Sequence, residues 1–295
     1  MGRVQVYELQ LRGRGTDVLW KPMGDPIRGE GNKERAGYTI DLSQDGSVVA
    51  VGATDAEAQK GHTRVYKYIV DGSDGRWGKL GQDLKGYQSG DKSGWAVALS
   101  SDGMIVAVGS KTNNLGGFAA GRLRVFYFES ADSNWTQIGD DIYGEARGDN
   151  FGRFLSLSSD GKTVAGTAWL NDGNGQDSGH VRVFSFNDQD KEWHQVGDNI
   201  NGDAPFDTLS QVSLSGDGRR VATSTGDGDE GVGYVRVYDN IEGSWQLVGG
   251  KITGHPAERF GKSLSLSPEG TRLLGGSEGR NIIGDSGLVR LFELQ

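Results

Sequence analysis

Two acidic loops and three singular aromatics are the residues of this chain whose types and spacing could do chemistry. Asn171, Asp172, Asn174, Gln176 and Asp177 set oxygen-bearing side chains at near-alternate positions, and Asp227, Asp229 and Glu230 form a second cluster. Calcium takes six to eight hard oxygen ligands, so either stretch could wrap it weakly. Asn, Asp and Gly are also the ordinary turn formers, and neither stretch has the twelfth-position glutamate of an EF-hand loop. The expectation is no cofactor, with weak calcium binding left open.

Trp95, Phe118 and Trp169 stand outside any repeated column. Aromatics beside polar residues can hold sugars or peptides, or they can simply pack a loop. His62, His180, His194 and His255 are scattered and give neither a triad nor metal spacing. Cysteine is absent, which excludes disulfides and thiolate chemistry. No glycine-rich phosphate loop follows a strand and opens a helix.

The elements that must position these residues are written in a repeat. Trp20, Trp77, Trp135, Trp193 and Trp245 are 57, 58, 58 and 52 residues apart. Each is followed four residues on by glycine (Gly24, Gly81, Gly139, Gly197, Gly249) and seven on by Ile or Leu. A fixed period decides architecture before any local motif. Within a unit, apolar residues alternate over short runs, as in Phe154–Ser158, Thr163–Ala168, His180–Phe186 and Trp193–Ile200, which predicts four β-strands, a to d. Between a and b recur Asp45-Gly46, Asp102-Gly103, Asp160-Gly161, Asp217-Gly218 and Glu269-Gly270, a hairpin signal of two central residues. Leu-Ser precedes each of these pairs.

Four antiparallel strands repeated around a ring predict an all-β fold, a five-bladed β-propeller in one domain. The repeats run approximately over 38–86, 95–144, 153–202, 210–254 and 262–294, with a spare piece at 16–29. That N-terminal outer strand is expected to close the ring by completing the last blade. Val4–Leu9 reads as a surplus c strand. The column Arg64, Arg124, Arg182, Arg236 and Arg290 is expected to pair with carboxylates or carbonyls between blades, not to form an anion ring.

A net charge of −9 disfavours nucleic acid and anionic membranes. No apolar run is long enough to span a bilayer, so no membrane insertion is expected. The chain opens already strand-like, without a signal peptide, which suggests that something once preceded it.

Glycine stands before four of the a strands (Gly37, Gly94, Gly152, Gly261), twice as Phe-Gly (Phe151-Gly152, Phe260-Gly261), and the turns are followed by Val49–Ala53, Val106–Ser110 or a variant. This sentence, repeated over the whole chain, resembles the FG-GAP class of repeats that build the propeller heads of integrin α subunits and occur in bacterial and algal surface proteins. The resemblance implies an interaction module outside the cytoplasm, extracellular or on a cell surface. The family's calcium loop is replaced here by the short a–b turn, so its calcium site does not carry over. Integrin heads also have seven blades.

The expected function is therefore a non-catalytic binding or adhesion scaffold, not an enzyme, recognising a protein or glycan partner. Its b–c and d–a loops vary most between units, and variation on a rigid scaffold is where recognition usually sits. The expected contact residues are Asp55, Glu57, Asn114, Phe118, Arg147, Asp149, Trp169, Asp172, Asp177, Asp227, Asp229 and Arg280. The alternative is a glycan-active enzyme of glycosidase type. That chemistry needs two or three carboxylates at the axis, and the inner-strand columns (Asp41, Ala98, Ser156, Ser213, Ser265; Thr39, Ala96, Phe154, Gln211, Ser263) offer one acid in ten positions.

Overall fold

The structure, a computed structural model, describes residues 2–12, 17–31, 33–72, 74–278 and 287–294. It is a five-bladed β-propeller. The first blade pairs Ala36–Leu42, Val48–Ala53, His62–Asp71 and Asp74–Lys79 in that order. The second uses Ala96–Leu99, Ile105–Ser110, Arg122–Glu129 and Asn134–Gln137. The third uses Leu155–Leu157, Thr163–Ala168, His180–Asn187 and Glu192–Gln195, and the fourth Gln211–Leu214, Arg220–Thr225, Tyr234–Ile241 and Ser244–Leu247. In these four, a short segment after strand d returns to strand c, as Leu84–Lys85 does to Thr63 and His62. The fifth has Ser263–Leu266, Arg272–Ser277 and Leu288–Glu293.

The Leu-Ser and Asp-Gly columns share one local cause. In the first blade the Ser43 hydroxyl donates to Asp45 at 2.7 Å and accepts the Val48 N–H at 2.9 Å. Asp45 also accepts the Ser47 N–H, and Gly46 turns at φ 73°. Ser100–Asp102, Ser158–Asp160 and Ser215–Asp217 repeat the device. The Ser43 N–H donates to the Val48 carbonyl. The turn therefore holds four residues, Gln44 to Ser47, and not the two expected, because the serine side chain takes over one rung of the ladder.

Blades are joined by equally regular bonds. The indole N–H of Trp77, Trp135, Trp193 and Trp245 donates to the carbonyl of Met23, Leu80, Ile138 and Val196, each on the preceding unit. Arg124 and Arg182 donate to the carbonyls of Lys85 and Tyr143 one blade back, and Arg64 pairs with Glu30 of the preceding unit at 2.9 Å. The arginine column is thus interblade structure. One apolar core fills each joint: Val48, Val65, Leu99, Val106 and Trp135 between the first two blades, and Leu123, Phe151, Val164 and Phe184 between the next two.

The N-terminal hairpin departs from the expected closure. Asp17–Pro22 pairs with Tyr7–Arg12, and no pairing with the fifth blade occurs among the described residues. The surplus c strand lies next to it in sequence and offers a complete partner edge. Together they stand as the outer half of a unit before the first blade, with Val4 and Ile27 buried against Val49 and Val51.

His62 and His180 open strand c in the first and third blades, both buried. Burial and the neighbouring Arg182 push His180 down to about 4, while Glu145, 3.8 Å away, opposes this. The neutral ring is therefore the native form, and unfolding lets it gain a proton near its usual 6.5. Its contribution is complete above pH 6.5 and is lost as pH falls toward 4, by on the order of 3 kcal/mol. Urea midpoints of wild type and His180→Gln at pH 7 and pH 5 check this. The wild type should lose more on acidification, and parallel losses would show that His180 does not titrate in this range.

Candidate functional site: a cationic aromatic cleft

The innermost strands of the first three blades begin with glycine followed by a large residue: Gly37-Tyr38, Gly94-Trp95 and Gly152-Arg153. Gly94 sits at φ 81°, where a Cβ would lie 2.5 Å from the His62 carbonyl oxygen. Only glycine allows that approach, and the next side chain is thereby set at the strand's start. The preceding loop is fixed by Asp91, buried, which accepts the N–H groups of Tyr87 and Gln88. Asp149 does the same for Glu145 and Ala146.

These three residues border a cavity of about 380 Å³ with Ile40, Val97 and Phe154 in its wall. The Tyr38 and Trp95 rings meet at 4.7 Å between centroids. Lys111 Nζ lies 3.6 Å and Lys92 Nζ 5.7 Å from the centre of the Trp95 ring. The Arg153 guanidinium stacks 3.9 Å over Trp169. Trp169 and Trp95 thus each carry a cation over a ring face.

The electrostatics are one-sided. Burial, reinforced by Arg153 and Lys92, pushes the Lys111 amine down to about 8. Arg153 is shifted down by burial too, opposed only by the Tyr38 hydroxyl. No carboxylate forms an ion pair with Lys92, Lys111 or Arg153 among the described residues. Arg153 Nε and Trp169 Nε1 are buried without a hydrogen-bond partner. Buried donors are ordinarily satisfied, so two orphans on one stacked pair beside the cleft stand out.

The other expected contact residues do not gather here. Phe118 is 63% exposed, with Arg147 stacked 5.0 Å over it. Asn114 closes its own loop by accepting the Ala119 N–H. Asp55 pairs with Arg35, and Glu57 with Lys85. Asp149 is a correction: it is buried, because its carboxylate caps its own loop and accepts from Asn171. Arg280 lies outside the described residues.

The acidic loops are occupied by protein groups. Asp172 accepts the Asp177 N–H. Asp227 is held by Arg259 and Lys262, and Asp229 by Lys251. Among the described residues no three His, Asp or Glu side chains converge as a metal site would require. At the axis, Asp41 accepts the Leu99 N–H at 2.6 Å, and Ser156 and Ser213 accept from Leu214 and Leu266 in the same way. Asp41 is raised by burial and serves the joint.

No family model and no curated protein matches the chain. Solved propellers do. The periplasmic gluconolactonase of Pseudomonas aeruginosa superposes with a TM-score of 0.54 at 14% identity, over 94% of this chain and 76% of that one. A Bacteroides fragilis protein provisionally described as a 6-phosphogluconolactonase gives 0.54 at 14% identity, over 96% and 72%. Saccharomyces cerevisiae Sqt1 gives 0.52 at 14%, over 88% and 63%.

At this identity the likeness shows the fold alone. It corrects two expectations nonetheless. The non-catalytic scaffold and the exclusion of catalysis are withdrawn, since two of these three propellers carry the names of enzymes. Within the described residues, no helix is long and apolar enough to cross a membrane.

Proposed function

We propose that this propeller is an enzyme that hydrolyses a small sugar-derived lactone in the cleft between its first three blades. The observation that carries the reading is Lys111. It is an amine held near pH 8 on the Trp95 ring that borders the cleft, with no carboxylate ion pair among the described residues. A proton-transfer group works best when its pKa is near the working pH. The names of the two lactonase-type propellers support the substrate class. A pair of axial carboxylates, which glycoside hydrolysis needs, is missing among the described residues, whereas ester hydrolysis requires none.

In the step itself a water oxygen attacks the lactone carbonyl carbon while neutral Lys111 takes the water proton. The ring C–O bond then breaks, and Lys111 returns the proton to the departing alkoxide. The product is the open hydroxy acid. Trp95 and Tyr38 offer a ring face to the apolar side of the sugar. A location outside the cytoplasm fits the periplasmic name of one similar propeller and remains part of the proposal.

The test is turnover of δ-gluconolactone, followed by acid release over the spontaneous rate. Lys111→Met should lower kcat by about 10²–10⁴ with little change in KM. The wild-type rate should rise with pH through about 8 as Lys111 loses its proton. Turnover that survives Lys111→Met unchanged, or none above background, would overturn the reading.

A further inference from the structure

We infer that the cleft takes an oxyanion, the phosphate or carboxylate of a small sugar-type molecule, between Arg153, Lys92 and Lys111. The inference deepens the reading above and rests on the same cleft, but it stands on different observations.

The first is charge. In a chain of net charge −9, several loop cations have a carboxylate partner: Arg35 with Asp55, Lys85 with Glu57, Lys251 with Asp203, Arg259 with Asp227. Three cations from neighbouring loops converge here with none among the described residues. Like charges brought together and partly desolvated repel. A bound anion would relieve that repulsion.

The second is unsatisfied donors. Arg153 Nε and Trp169 Nε1 are buried without an acceptor. A neutral hydroxyl could satisfy one of them, but an oxyanion can accept from both and from the ammonium groups too. Planar guanidinium suits both carboxylate and phosphate. The third is shape. Stacking on Trp169 fixes the guanidinium plane, and Lys111 is seated on Trp95. The donors are thus held before the ligand arrives, which lowers the cost of ordering on binding.

Binding should carry a proton signature. Near pH 8 about half of Lys111 is neutral, and an anion beside it favours the charged form. The complex should therefore take up a proton, and an anion seated there should inhibit turnover, since Lys111 acts on the water in its neutral form.

The experiment titrates the full chain at pH 8 with inorganic phosphate, gluconate and glucose, by calorimetry in two buffers of different ionisation enthalpy. The expected result is binding of an anion and not of glucose, with proton uptake and weakening at higher salt. Phosphate binding without gluconate binding assigns a phosphate site, and the converse a carboxylate site. Arg153→Gln should weaken the preferred anion at least tenfold, and Arg153→Lys should restore part of the affinity. Circular dichroism confirms that both variants fold. Equal affinity for glucose, no proton uptake, or an affinity untouched by Arg153→Gln would overturn the inference. Anion binding without lactone turnover would sink the catalytic reading alone. Turnover of a neutral lactone without anion binding would sink this inference alone.

Discussion

Removing residues 1–29 should cost on the order of 5 kcal/mol of stability, although the segment forms only the outer half of a unit. Val4 and Ile27 lie buried against Val49 and Val51. Each fully buried aliphatic side chain contributes about 1.5–3 kcal/mol. The deletion also takes away the Met23 carbonyl, 2.8 Å from the Trp77 indole nitrogen, and an orphaned partly buried donor adds about 1–3 kcal/mol. Against a total of about 5–15 kcal/mol, that is a large share. Trp20 should contribute little, since it is 64% exposed. Urea unfolding of the truncated chain and of Trp20→Ala separates the two effects. A truncated chain with an unchanged midpoint would mean that the hairpin is not seated on the first blade. A Trp20→Ala loss as large as the truncation would mean that the indole, not Val4 and Ile27, anchors it.

Most of the architecture was legible because the repeat exposes it. Trp77, Trp135, Trp193 and Trp245 occupy one column, and the structure gives that column one task, the indole bond to the preceding unit. The arginine column is legible for the same reason. The hairpin was misjudged because sequence identifies a c-type or d-type strand but not which copy it pairs with. Two strands close together in sequence find each other before either reaches the far end of the chain.

The cleft was less legible. Trp95 and Trp169 stood out as singular aromatics, while Lys111 and Arg153 passed unnoticed. A signal was present. Lys111 follows strand b as Trp169 does one repeat later, and Arg153 follows its glycine as Tyr38 and Trp95 do. A column that changes chemistry from blade to blade, inside columns that do not, marks the mouth of the cleft. What no single sequence shows is the missing counter-charge. That depends on which carboxylates the loops have already engaged, as Asp149 with its own backbone and Asp227 with Arg259.

That dependence makes Asp91→Ala the most damaging single substitution expected. Asp91 and Arg122 are fully buried and lie 3.5 Å apart. Asp141, 3.0 Å from Arg122, supplies a second carboxylate. Asp91 also accepts from the N–H groups of Tyr87 and Gln88 and from the Asn113 amide. Breaking a buried pair by removing one partner costs about 3–5 kcal/mol, because the remaining charge stays buried. The same truncation at Glu57, an exposed partner of Lys85, should cost no more than about 1 kcal/mol. Asp91→Asn keeps an acceptor oxygen and should fall between the two. The loss reaches the site through short paths. Lys92 is the next residue, held at φ 52°, and Asn113 lies two residues beyond Lys111. Asp91→Asn, assayed well below its melting temperature, should therefore also weaken anion binding, because the two lysines lose the bond that ties their loops together. Urea midpoints of the three variants and phosphate or gluconate affinity of Asp91→Asn measure both effects. Equal midpoints for Asp91→Ala and Glu57→Ala would show that the buried carboxylate does not hold the joint. Full affinity in Asp91→Asn would show that the cleft is organised by other contacts.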